Sequence, residues 1–164
     1  MLALVIDSSQ LRFACDAMLG GLARWLRAAG YDATWQADID DWDLVRLAQK
    51  DGRILLTSDS GICRIGIVRD GEVPALLVPH GLGKLDQLVF VLRELELPIR
   101  EPRCMACGGL LEEVHKDQVR DRAPPRTFGW LEHFYECSRC KQLFWRGTHW
   151  QQIVAKLAEA KHRT

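Results

Sequence analysis

The sequence predicts an α/β fold: a parallel sheet with helices on both faces, followed by a small four-cysteine ribbon and a C-terminal helix. Three observations predict it. Short apolar segments alternate with stretches of helical periodicity over residues 11–100, the pattern of βαβ units joined by right-handed crossovers. Ile54-Leu55-Leu56 is a continuous apolar run, as expected of a strand covered on both sides. Two matched cysteine pairs, Cys104-x-x-Cys107 and Cys137-x-x-Cys140, then mark a region of different texture.

Residues 11–15 read as a short strand ending at Asp16. A helix follows over 18–28, where Leu19, Leu22, Trp25, Leu26 and Ala29 recur at helical steps until Gly30 stops it. Residues 32–36 form a second strand. Asp40 or Asp41 caps the next helix, with Leu44, Val45, Leu47 and Ala48 as its apolar face and Asp51-Gly52 as its end. The third strand, 54–56, runs into Thr57-Ser58-Asp59. A helical turn over 61–68 and a turn at Asp70-Gly71 lead to a fourth strand over 74–78. Leu85, Leu88, Val89, Leu92 and Leu95 place a helix over 85–95, before Pro98 and Pro102 mark a linker. A final helix over 149–162 carries Ile153, Val154 and Leu157 as its apolar positions. The expected organisation is a sheet domain over 11–100, a ribbon over 103–150 and a C-terminal helix over 151–164.

A two-residue gap lets both thiolates of a pair turn onto one metal. Two such pairs supply four soft ligands at tetrahedral geometry, the requirement of a closed structural zinc site. Gly108-Gly109 after the first pair suits a knuckle that needs positive φ, and Lys141 after the second suits excess thiolate charge. His149 is a spare donor, but Cys104, Cys107, Cys137 and Cys140 already close the sphere. A disulfide framework is not expected, because Met1 to Asp7 is too short and lacks the basic flank of a signal segment. A cytoplasmic location is expected, with Cys15 and Cys63 as free, apolar thiols. Hydrophobic residues make up 48% of the chain and charged residues 27%, which are globular values. Net charge is zero, yet residues 1–100 hold 11 basic against 14 acidic side chains and residues 101–164 hold 11 against 8. That balance excludes a bulk polyanion binder and leaves room for a local basic face.

Three aspartates fall where such a sheet collects functional groups. Asp16 ends the first strand, Asp41 heads the second helix and Asp59 ends the third strand. Each lies at or just beyond the carboxyl edge, the usual place for ligands in open α/β sheets. Carboxylates gathered there repel one another unless a cation neutralises them. Hard oxygen ligands with room for water suit Mg²⁺ or Mn²⁺, which can clamp a phosphodiester and activate water.

The segment from Asp16 to Arg27, with Gly30-Tyr31-Asp32 after it, resembles the opening of a PIN-like ribonuclease family. The family carries a C-terminal zinc ribbon and is named for the C-terminal domain of the Mut-seven-type exonuclease. Asp41-Trp-Asp-Leu-Val-Arg-Leu-Ala48 and Arg53-Ile-Leu-Leu-Thr-Ser-Asp59 are similar to its next two blocks. Val119 to Arg126 and Tyr135 to Trp150 resemble its two ribbon signatures, so the similarity runs over about residues 11–155. It implies a PIN-like fold and metal-dependent cleavage of RNA, with Asp16, Asp41 and Asp59 as catalytic metal ligands. PIN nucleases usually gather a fourth acid; Asp38, Asp40 and Asp43 are the nearby candidates, and Asp40 is preferred. Ser58 stands where the family often has a basic residue.

Arg24 and Arg27 leave the first helix close to Asp16 and are expected to pair with phosphates. Arg120, Arg122 and Arg126 flank Pro124-Pro125, and Arg139, Lys141 and Arg146 interleave with Phe144, Trp145 and Trp150. Cations beside aromatic faces suit single-stranded RNA, whose bases stack while its phosphates pair. The competing expectation is a non-catalytic RNA- or protein-binding adaptor, in which the acids are structural and the ribbon does the binding.

Overall fold

The computed structural model describes residues 10–164, so the apolar start through Asp7 lies outside the described residues. The first part runs β1 (Arg12–Cys15), a 3-10 turn (Ala17–Leu19), α1 (Gly20–Ala28), β2 (Asp32–Trp35), α2 (Asp41–Asp51) and β3 (Ile54–Thr57). It continues with α3 (Ser60–Cys63), α4 (Gly66–Arg69), β4 (Ala75–Leu77) and α5 (Lys84–Glu94). The strands lie in the order β2-β1-β3-β4, and every neighbouring pair is parallel. All four carboxyl ends therefore meet along one edge.

Strand alternation sends successive side chains to opposite faces. Phe13, Cys15, Ile54 and Leu56 point to one face and join a core with Leu22 and Leu26 of α1 and Leu88 and Leu92 of α5. Ala14 and Leu55 point to the other and meet Leu44, Val45 and Ala48 of α2 with Ile62 and Val68. The helical turn expected over 61–68 is two short helices, because the chain extends at Ile65 before Gly66 restarts it. Gly52 ends α2 at φ 59°, the left-handed conformation its glycine permits.

The ribbon is a separate antiparallel sheet of β5 (Leu111–Val114), β6 (Phe134–Cys137) and β7 (Leu143–Trp145), in that order. Between β5 and β6 the chain forms a 3-10 turn (Lys116–Val119) and a short α6 (Pro125–Trp130), with Pro125 in the first turn, where its missing N–H costs nothing. Val119 and Ala123 of this excursion pack on Phe134 in a small core. Tyr135 and Phe144, paired across β6 and β7, alternate to the opposite face.

The last helix, α7 (Thr148–Arg163), does not stand apart as a third unit. Ile153, Leu157 and Ala160 are buried in the same core as α1 and α5, so the chain returns from the ribbon to the sheet domain. Val154, expected on its apolar stripe, is 44% exposed, and Ala160 takes the buried place. Among the described residues no helix is long and apolar enough to cross a membrane.

Candidate acidic site and cysteine cluster

Parallel pairing of β1 with β3 brings Asp16 beside Thr57. Asp16 is only 7% exposed, and its N–H donates to the Leu56 carbonyl at 2.9 Å. The Thr57 hydroxyl is fully buried, donates to Asp16 Oδ2 at 2.7 Å and accepts from the Asp59 N–H at 2.9 Å. One side chain thus ties the carboxylate at one strand end to the backbone at the next. Asp59 caps α3, its Oδ1 accepting from the Gly61 N–H at 2.6 Å. Thr57 is not among the residues expected from sequence, although a threonine two residues before a strand-end aspartate is a local signal for this turn.

Asp41 is the first residue of α2, and Asp40 is its N-cap, accepting from the Trp42 N–H at 2.9 Å. The Asp41 carboxyl is pushed above its ordinary range, first by desolvation and then by the charges of Asp59, Asp16 and Asp40. The charges of Asp59, Asp16 and Asp40 therefore reach Asp41 at this edge. Asp43 instead pairs with Arg46 at 2.5 Å on the exposed face of α2. Among the described residues the four cysteines are the group gathered closely enough to hold a metal ion, with all ligand atoms within 4.8 Å of one another; Asp16, Asp41 and Asp59 do not form such a group.

The cysteine sulfurs approach as a compact set, Cys104 to Cys140 at 3.6 Å and Cys107 to Cys137 at 3.4 Å. Tetrahedral zinc at ~2.3 Å from each sulfur calls for separations of roughly 3.8 Å, so the donor set fits. Gly108 turns the first knuckle at φ 79°. A Cβ on Gly109 would stand 2.6 Å from Cys137 Sγ, which explains the second glycine. Burial pushes Cys104 up to about 12, and burial also raises Cys107. For Cys137 burial acts the same way, but the N–H groups of Cys140 and Arg139 outweigh it and hold the thiol down to about 6. A bound divalent cation would draw all four to thiolates. The four cysteines could hold a zinc ion.

The family model of the Mut7-C RNAse domain matches residues 11–157. The chain belongs to this family. Searches among curated proteins and among solved structures find no match. Membership in the Mut7-C RNAse domain family points to ribonuclease-type chemistry with RNA as the substrate.

The arginines of this Mut7-C RNAse domain divide into three kinds. Arg24 is exposed on α1. Arg27 is not a surface cation as expected: it is 5% exposed, and its guanidinium donates to the carbonyls of Ala33 (2.8 Å), Met105 (3.0 Å) and Ala106 (2.8 Å). With those acceptors taken inside the protein, it fastens the first knuckle to the sheet domain and has no face for RNA. Arg120, Arg122 and Arg126 are exposed on the excursion that covers the Phe134 face of the ribbon. Arg120 lies over the Phe128 ring at 5.2 Å, and Arg122 pairs with Glu136.

Proposed function

We propose that this chain is a metal-dependent ribonuclease that hydrolyses RNA phosphodiester bonds, with its ribbon assisting RNA binding. The observation that carries the reading is the Thr57 bridge, which holds Asp16 and the Asp59 turn together at adjacent strand ends. Asp41 and its cap Asp40 approach this edge from the start of α2, a reading supported by the upward push that Asp59 and Asp16 exert on the Asp41 carboxyl.

Asp16, Asp41 and Asp59 would hold Mg²⁺ or Mn²⁺, with Asp40 as the fourth acid. Bound there, such a cation neutralises phosphate charge and supplies an activated water. Water could complete that hold, since Mg²⁺ commonly keeps several waters. Thr57 keeps Asp16 in one orientation, and the Gly61 N–H does the same for Asp59. Arg24 meets a phosphate beside this edge, and Arg120, Arg122 and Arg126 meet the strand further along the ribbon. Cys104, Cys107, Cys137 and Cys140 hold a structural zinc that supplies the folding energy so small a sheet lacks.

That Asp16, Asp41 and Asp59 do not form a ready ion-holding group favours one second reading, a non-catalytic RNA- or protein-binding adaptor. An assay on end-labelled RNA and DNA with Mg²⁺, with Mn²⁺ and without either separates the two. Metal-dependent cleavage of RNA supports the enzyme; binding with no cleavage under any metal supports the adaptor.

A further inference from the structure

A cleft of about 1060 Å³ separates the sheet domain from the ribbon. It begins at the carboxyl ends of β1 and β2, where Ala17 and Met18, directly after Asp16, form its near wall with Trp35 and Arg24. Met18 is 75% exposed. The Trp35 indole is held flat against the turn: its Nε1–H donates to the Ala17 carbonyl at 2.8 Å. A Cβ on Gly20 would stand 2.7 Å from that ring, so the glycine is what allows the indole to lie there. The far wall is the ribbon face carrying Tyr135, with the guanidinium of Arg146 stacked 5.3 Å from its ring centre. Trp150, from the first turn of α7, closes the floor.

We propose that this cleft binds the unpaired bases of single-stranded RNA and leads the strand to the Asp16 edge. The inference rests on the ribonuclease reading for its direction but not for its occupant. Flat aromatic faces fixed in place, interleaved with guanidinium groups, suit bases that stack without sequence choice. Apart from the buried Arg27, the charged side chains lining the cleft are Arg24, Arg103 and Arg146 with Glu101, which favours a phosphate backbone over an acidic peptide. Its volume exceeds the ~300–1,000 Å³ that encloses a drug-sized ligand, so more than one base fits. A paired duplex hides those base faces in its own stack and offers backbone and grooves instead. The exposed trio Arg120, Arg122 and Arg126 lies on the ribbon's other face and does not line this path.

The test uses the full zinc-loaded chain carrying Asp16→Asn, with a labelled single strand of RNA, the same strand with abasic positions, and the strand annealed to its complement. The base-bearing single strand should bind at least tenfold more tightly than the other two and quench tryptophan fluorescence. Trp35→Ala should weaken it by roughly fivefold or more, the loss expected for one stacked base, and Trp35→Phe should restore most of the binding. Met18→Glu, at an exposed position that leaves folding alone, should weaken it as well. Equal binding of abasic and base-bearing strands, or full affinity in both Trp35→Ala and Met18→Glu, overturns the proposal and leaves the cleft to an apolar protein segment. Cleavage by the parent chain is measured in parallel. Cleavage with cleft variants that bind normally rejects the cleft and keeps the enzyme; cleft-dependent binding without cleavage does the reverse.

Discussion

The guanidinium of Arg27 donates to the carbonyl of Ala106 at 2.8 Å, across 79 positions of sequence. Ala106 lies between Cys104 and Cys107, so the backbone of the metal knuckle completes the hydrogen bonding of a cation buried in the sheet domain. The two parts are one structure at this point. Arg27→Met keeps the length of the stem and removes three bonds to carbonyls. It should cost about 3 kcal/mol in unfolding by denaturant, since hydrogen bonds to charged groups contribute ~1.5–3 kcal/mol each and the freed Ala33 carbonyl is buried. A cost below about 1 kcal/mol, the net value of one ordinary hydrogen bond, would show that solvent replaces them.

Zinc loss should therefore be felt beyond the ribbon. Metal analysis should find one zinc per chain, and Cys137→Ser should release it and expose residues 103–150 to protease. Hydrogen exchange should also quicken over residues 27–33, where Arg27 loses its Met105 and Ala106 partners. Faster exchange confined to the ribbon would mean that the knuckle keeps its shape without metal.

Much of the fold is legible in the sequence, for local reasons. Apolar spacing places α1, α2 and α5, the run at Ile54-Leu55-Leu56 places a central strand, and the cysteine pairs cluster as their spacing requires. What stays hidden depends on partners far away in sequence. The burial of Arg27 is set by a loop 78 and 79 residues on, and nothing in its own helix announces it. The role of Thr57 depends on β3 lying next to β1, which no local pattern encodes. The stripe on α7 departs from its apolar spacing because Ala160, small and weakly apolar, packs into the core shared with α5 while the larger Val154 faces out.

Thr57→Val keeps the shape of the side chain and removes the bond to Asp16. Stability should fall by about 1 kcal/mol, the usual net value of a hydrogen bond. RNA cleavage should fall by about tenfold or more because Asp16 is free to turn, and Thr57→Ser should recover it. A Thr57→Val protein with the parent's rate and metal affinity would make the bridge purely structural.

The raised Asp41 carboxyl gives a pH signature. Its folded value lies above the ordinary 3.8, so the stability it contributes is full below that pH and is lost as pH rises through the folded value. Without Mg²⁺ or Mn²⁺, Asp41→Asn should melt higher than the parent at neutral pH, and the gap should close as the medium is acidified. Mn²⁺ should raise the melting temperature of the parent but not of Asp41→Asn. Identical melting curves with and without Mn²⁺ in the parent would remove the acids as a metal site.

Replacing Arg120, Arg122 and Arg126 with alanine should flatten the salt dependence of RNA binding, by roughly 0.7 in log–log slope for each phosphate left without its cation. The part of binding that survives high salt should remain, because stacking in the cleft is untouched. An unchanged slope would confine the whole RNA path to the cleft side of the ribbon.

Cleavage of end-labelled RNA by single variants decides whether acids at the sheet's carboxyl edge cut RNA with a hard divalent cation. Asp16→Asn and Asp59→Asn each keep the side chain's shape and remove a charged ligand. With Mg²⁺ or Mn²⁺ present, the parent should cleave and each variant should be slower by orders of magnitude, while circular dichroism and bound zinc stay unchanged. If both variants cleave as fast as the parent, the acids are structural and cleavage does not run through this edge.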